Sequence, residues 1–279
     1  LCGEELASLR PDLLVVKGEA ENVIVEAVRN KKTGLINAGQ IKELDKLPFI
    51  DRSLFVNDPC LEGIRYESSM ITARGCPYLC NFCTVPVTNG RNVRTRSINN
   101  VIAEINQLKA QGVESIHFMD DMINFNRQRT IQLSNALKEA DIDWRGLARI
   151  ELLDDKLLET MSDSGCYRLA FGLESGTPRI LRNIGKNADL NLVRGVFAKC
   201  KNLGIETKAF FTIGHPTETE DEIRRTIDFA LELKPNDAYF MVVRAFPKTK
   251  LYAQMKGNGF SDQELNKYQQ FQDSNAYVK

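Results

Sequence analysis

Arg74-Gly75-Cys76-Pro77-Tyr78-Leu79-Cys80-Asn81-Phe82-Cys83 decides how this chain is read. Three thiols fall within eight positions, spaced C-x3-C-x2-C, with an aromatic residue just before the last. The segment follows Ser69–Arg74, a run that reads as a strand. Three thiolates on one loop can hold three irons of a [4Fe–4S] cube and leave the fourth iron open to a small molecule. The rival readings are structural zinc and three unrelated buried cysteines. Structural zinc is normally a closed four-ligand site built from paired half-sites. Here no second cysteine pair exists, Cys60 and Cys166 are remote in sequence, and His117 and His215 stand singly. Gly, Pro and Asn around the thiols argue against a buried core segment. The odd total of seven cysteines speaks for metal in a reducing cytoplasm rather than a disulfide framework.

Outward from the loop, apolar runs alternate with amphipathic ones. The strand candidates are Ser69–Arg74, Ser115–Met119, Trp144–Arg149, Tyr167–Leu173, Glu206–Ile213 and Ala238–Ala245. Several are mostly apolar, as strands covered on both faces require. Between them run helices with readable ends. Ser97 caps one that turns Ile98, Val101, Ile102, Ile105 and Leu108 to one face and stops at Gly112. Asp189 opens a second, closed by Gly204. Thr219 and Glu222 form a capping box for a third, which Pro235 ends. Repeated strand, helix and parallel strand make an α/β fold. About six units fit the length, so a partial (β/α)6 TIM-like barrel is expected rather than a closed eight-unit one.

In such a barrel the active site lies at the C-terminal ends of the strands. Those ends carry Asp120-Asp121, Arg149, the glycine-flanked Glu174, then Gly214-His215-Pro216, and Arg244. Each has an ordinary alternative. The Asp pair could open a solvated loop, and Arg149 could simply pair with Glu151, a contact worth little at a surface. Their shared placement on one face is what argues for a site.

The loop and strand ends together resemble the radical S-adenosylmethionine (SAM) superfamily over about Glu67 to Met255. The resemblance implies that Cys76, Cys80 and Cys83 ligate a [4Fe–4S] cluster and that SAM chelates the open iron. It implies an enzyme that cleaves SAM reductively to a 5′-deoxyadenosyl radical, supplied by an external electron donor of flavodoxin or ferredoxin type. Phe82 would pack beside adenine. Asp120 and Asp121 hold the place of a motif that binds the SAM amino group, where a carboxylate suits an ammonium. Phe171-Gly172-Leu173-Glu174-Ser175-Gly176 is similar to a strand-four motif whose Glu contacts the ribose. Phe211-Thr212-Ile213-Gly214-His215-Pro216 resembles a strand-five motif whose backbone touches adenine, with His215 where Leu is usual. Val243-Arg244-Ala245-Phe246-Pro247-Lys248-Thr249 is similar to a strand-six segment in which Lys248 replaces Gly.

Residues 1–30 read as the C-terminal remnant of a doubly wound, cobalamin-binding-like domain: a helix at Glu4–Leu9, a strand at Asp12–Lys17, a helix at Ala20–Arg29. Pro11 to Glu21 and Leu44 to Phe49 resemble the end and linker of the cobalamin domain that precedes the barrel in one branch of the superfamily. That branch implies C-methylation, oxidative rearrangement or cyclisation of an unidentified substrate. The Asp-x-His-x-x-Gly signature of a lower cobalt ligand is absent. The chain starts mid-helix without Met, so truncation is the favoured reading over loss of cobalamin; cobalamin is then expected in the full-length protein and not in this segment. Residues 31–67 read as a linker, 68–256 as the barrel, and 257–279 as a polar tail with a helix near Asp262–Phe271.

A methylthiotransferase-like enzyme is the runner-up. It would carry further cysteines in an N-terminal domain and an RNA-binding module, neither of which is visible. An Fe–S electron carrier is the non-enzymatic alternative, but such carriers use four cysteines per cluster. The 37 basic and 37 acidic residues cancel, so no nucleic-acid partner is expected. No apolar run is long enough to span a bilayer.

Overall fold

The computed structural model describes residues 3–52 and 66–265. Six parallel strands form one sheet: β3 (Glu67–Met70), β6 (Ser115–Phe118), β7 (Asp143–Ala148), β8 (Cys166–Glu174), β9 (Glu206–Ile213) and β10 (Asp237–Val242). They lie side by side in chain order, β3 at one edge and β10 at the other. The helices between them are α4 (Ile98–Ala110), α5 (Arg127–Ala140), α6 (Asp155–Ser162), α7 (Pro178–Asn183), α8 (Leu190–Asn202) and α9 (Glu220–Leu233). This is the α/β arrangement expected, with six parallel strands among the described residues.

Helix ends follow the sequence signals. Ser97 accepts the Asn100 N–H, Asp189 accepts the Asn191 N–H, and Thr219 with Glu222 makes the full capping box. α9 stops at Lys234, in left-handed backbone just before Pro235. One face of the sheet buries Phe118, Trp144, Leu169, Phe171, Ala209 and Phe211 against the helices. Burying a side chain of this size is worth about 1.5–3 kcal/mol. That face is the core; the other face leads to the site.

Three expectations are corrected. The first strand does not run from Ser69 to Arg74: β3 ends at Met70, and Ala73–Arg74 (β4) pairs instead with Arg94–Thr95 (β5), antiparallel. The cause is the Asp120 carboxylate, which takes the N–H groups of Thr72 and Ala73 out of the ladder. The last strand ends at Val242 rather than Ala245, with one further bond from Val243 N–H to the Ile213 carbonyl. Within 31–67, read as linker, Gly34–Gly39 is a strand (β2) parallel to β1 (Leu14–Gly18). Its alternating burial is confined to six residues between two glycines, too short to read as a period.

Around this pair lie α1 (Gly3–Leu9) and α2 (Ile24–Arg29). The N-terminal piece is tied to the β4–β5 ribbon by Glu19, which pairs with Arg94 at 2.6 Å and Arg74 at 3.3 Å. Residues 262–265 are helical, and the rest of the helix expected near Asp262–Phe271 lies outside the described residues. Among the described residues no helix is long and apolar enough to cross a membrane.

Candidate active site

The cysteine loop runs between β4 and α3 (Val85–Thr88), beyond the C-terminal end of β3. Gly75 starts it in left-handed backbone at φ 104°. Its N–H donates to the Asp121 carboxylate at 2.8 Å, and Cys76 N–H bonds the Gly90 carbonyl at 3.1 Å. On the far side Asn81 N–H reaches the Ile184 carbonyl at 2.8 Å, and the Asn81 carbonyl receives Leu251 N–H at 2.8 Å. The loop is thus strapped from three directions by backbone bonds.

A Cβ on Gly75 would fall 2.6 Å from the Asn92 carbonyl oxygen, a backbone atom with little room to move. Gly75→Ala should therefore cost on the order of 2 kcal/mol, or about 4–8 °C in Tm for a domain of this size. Iron bound per chain should fall with it. Wild-type iron content in a correctly folded Gly75→Ala protein would disprove this account of the loop.

A cleft of about 360 Å³ opens where the strands end. Cys76, Cys80, Cys83, Phe82, Asp121, Arg149 and Glu174 all line it, so the structure brings these seven candidates together. Tyr78, Lys186, Phe210, Thr212 and Met241 complete much of the wall. Burial raises the Cys76 thiol and pushes Cys83 up to about 11. Cys76 and Cys83 without metal therefore hold their protons, which metal would displace. Arg149 stacks on Tyr78, within the loop, at 3.6 Å, and also pairs with Glu151 at 2.8 Å. Asn124 fixes that strand end by bonding both the N–H and the carbonyl of Arg149 at 2.8 Å.

Asp120 and Asp121 divide their roles. Asp120 is 3% exposed and does not line the cleft. Its oxygens accept from Thr72 N–H at 2.6 Å, Thr72 Oγ1 at 2.5 Å and Ala73 N–H at 3.1 Å. Asp120, expected to accept an ammonium, thus spends its carboxylate on Thr72 and Ala73 and lies off the cleft wall. Asp121 holds Gly75 and the Asn89 amide and still borders the cleft.

Ile213, Gly214 and His215 stand just behind the wall rather than on it. Gly214 turns the chain at φ 82°, and its N–H and that of His215 donate to Glu218 at 2.6 and 3.1 Å. The His215 ring sits 5.9 Å from the Phe82 ring and 2.8 Å from Thr212 Oγ1. Lys186, Thr212, Asn124 and Tyr78 were not singled out from sequence. Tyr78 and Thr212 sit inside quoted motifs without a spacing rule that marks them, whereas Lys186 and Asn124 reach the site through turns that only the fold supplies.

Burial lowers His215 to about 4, against an ordinary value of 6.5. Between those values the unfolded chain binds a proton that the folded chain refuses, so stability is lost as pH falls from 6.5 to 4. The loss attributable to this ring is at most about 3 kcal/mol. Urea unfolding of the cluster-free protein and of His215→Leu across that range should differ by this amount. Parallel curves would refute it.

The thiol set fits a cluster better than a lone ion. Cys166 and Cys200 are buried in the core, and the loop's three thiols are one short of a closed four-ligand ion but leave one iron of a [4Fe–4S] cube open. Comparison with protein families matches residues 70–230 to the radical SAM superfamily, more than half of the chain. The chain belongs to the radical SAM superfamily.

Membership of this superfamily implies a [4Fe–4S] cluster and SAM as its cofactors. An uncharacterized methyltransferase of Pyrococcus horikoshii is 32% identical over 216 residues, 76% of this chain and 47% of that protein. The cytidylyl-2-hydroxyethylphosphonate methyltransferase of Streptomyces wedmorensis is 30% identical over 247 residues, 81% of this chain and 46% of that one. The chain therefore spans about half the length of these relatives. Among solved structures, the radical SAM methyltransferase TsrM of Kitasatospora setae superposes with a TM-score of 0.65 at 20% identity. The match covers 70% of this chain and 39% of that one. Another structure of TsrM holds cobalamin and a [4Fe–4S] cluster.

Proposed function

We propose that this protein methylates an unidentified substrate by radical SAM chemistry, with Cys76, Cys80 and Cys83 as the cluster ligands. One observation carries the reading: the three thiols share a single cleft with the Glu174 carboxylate at the C-terminal ends of the parallel strands. When bound, the cluster supplies the electron that cleaves SAM to methionine and a 5′-deoxyadenosyl radical. The chain's own residues bind and orient. Phe82 offers a flat apolar wall beside the loop, Glu174 accepts hydroxyl donors, and Asp121 offers the cleft's carboxylate at the β6 end.

Methylation is favoured over rearrangement or cyclisation because both relatives just described are named methyltransferases. Cobalamin in the complete protein would supply methyl-transfer chemistry, with the N-terminal α/β piece as part of its module. Residues 1–52 contain no histidine, so a lower imidazole ligand to cobalt does not come from them.

The test is anaerobic reconstitution, dithionite reduction with SAM and cobalamin, and measurement of 5′-deoxyadenosine and S-adenosylhomocysteine. Methylation yields both in the presence of substrate, whereas rearrangement yields no S-adenosylhomocysteine. A loaded cluster that releases neither product would sink the proposal.

A further inference from the structure

Glu174 is held in an uncommon way. It occupies left-handed backbone at φ 67°, where β8 slips register against β9 between Gly172 and Glu174. Such a residue persists only where its surroundings over-determine it. The residue is buried at 7% exposure, and each carboxylate oxygen has a partner. Lys186 Nζ lies 3.1 Å from Oε1 and also donates to the Gly172 carbonyl. Thr212 Oγ1 lies 3.2 Å from Oε2, and His215 Nε2 lies 2.8 Å from that same hydroxyl. Gly172 makes the arrangement sterically feasible, since a Cβ there would fall 2.5 Å from Glu174 Oε1.

Counting protons orders the chain. A carboxylate paired with lysine only accepts, so the single Thr212 hydroxyl proton goes to Glu174. The Thr212 oxygen must then accept from His215, which fixes the proton on Nε2. Nδ1 is left as a bare acceptor, and it is buried without a partner. Burial keeps the ring neutral, as this requires.

We infer that Lys186 on one side, and Thr212 backed by His215 on the other, are positioning residues that set Glu174 as an ionised acceptor for the ribose diol of SAM. The inference rests on the reading that SAM occupies this cleft. A carboxylate has about four acceptor sites. The brace uses one on each oxygen, and the remaining two match the two hydroxyls of a diol. His215, where the related motif usually has Leu, adds a proton donor to Thr212 that an alkyl side chain cannot supply.

The first test needs no variant. With only two histidines in the chain, long-range proton–nitrogen spectra of the cluster-free protein can assign His215. A neutral Nε2–H ring is expected at neutral pH; an Nδ1–H or cationic ring would overturn the proton order. The second test measures the SAM Kd of cluster-loaded protein by equilibrium dialysis. Thr212→Val, His215→Leu and Lys186→Met should each weaken SAM about tenfold, as loss of a hydrogen bond to a charged group does. The double variant Thr212→Val/His215→Leu should be no weaker than Thr212→Val alone, because both act through one bond. His215→Gln, whose amide N–H replaces Nε2–H, should recover most of the loss. If Glu174→Gln weakens SAM while Thr212→Val and His215→Leu do not, the brace is wrong and the cofactor reading stands. If Glu174→Gln leaves the SAM Kd unchanged, SAM does not engage Glu174 and both fall.

Discussion

Cys80→Ala is expected to hold SAM cleavage below about one thousandth of the wild-type rate, and so are Cys76→Ala, Cys83→Ala and the triple variant. The equality is the informative part. Ligands of one cluster act as a unit, so removing any one should cost as much as removing all three. Stability should barely change, because these half-buried thiols belong to the cleft wall and not to the core. Backbone bonds at Cys76, Asn81 and Cys83 would keep the loop's course in the absence of the replaced sulfur. The measurements are iron and sulfide per chain, 5′-deoxyadenosine formed under dithionite, and Tm of the cluster-free proteins. Graded losses, with one variant retaining tenths of the activity, would mean that the affected thiol is not a ligand.

Much of this architecture was legible because local signals and tertiary needs agree. Ser97, Asp189 and the Thr219–Glu222 pair cap helices in the structure as their spacing predicts. The apolar positions of α4 pack on the sheet, and so do Val193, Val196, Phe197 and Cys200 of α8, whereas Leu192, read from the sequence as inward, is exposed. Where reading failed, a side chain from a distant segment decided the backbone. Nothing near Thr72 announces that Asp120 will take its N–H and end β3 at Met70, four residues before the expected Arg74. Lys186 carried no signal either. It meets Glu174 only because α7 folds back and Gly185, at φ 77°, passes within a Cβ contact of 3.1 Å from the Leu79 carbonyl of the cysteine loop. His215 was visible as a departure from a motif, but its partner through Thr212 required coordinates.

Asp120 offers the second large effect, and it separates framework from cofactor contact. Asp120→Ala should destabilise the protein by about 3 kcal/mol or more, since two backbone N–H groups and a hydroxyl would be stranded at a buried site. Asp120→Asn should cost far less. Its amide oxygen can accept from both Thr72 and Ala73 N–H, while its NH2 donates to a rotated Thr72 hydroxyl. The carboxylate itself is disfavoured: burial raises it to about 6, against the opposing pull of the Thr72 and Ala73 donors. A folded value above the unfolded 3.8 means that the native state binds the extra proton, so this group's contribution to stability declines as pH rises from about 4 to 6. Asparagine lacks that ionisation, and the stability gap between wild type and Asp120→Asn should shift in its favour across the same window. Urea unfolding at pH 4.5 and 7, set beside the SAM Kd of both variants, distinguishes the roles. A framework residue predicts near-normal SAM affinity in folded Asp120→Asn. An ammonium acceptor predicts a loss of tenfold or more with stability unchanged, because a neutral amide cannot replace the charge that an ammonium needs.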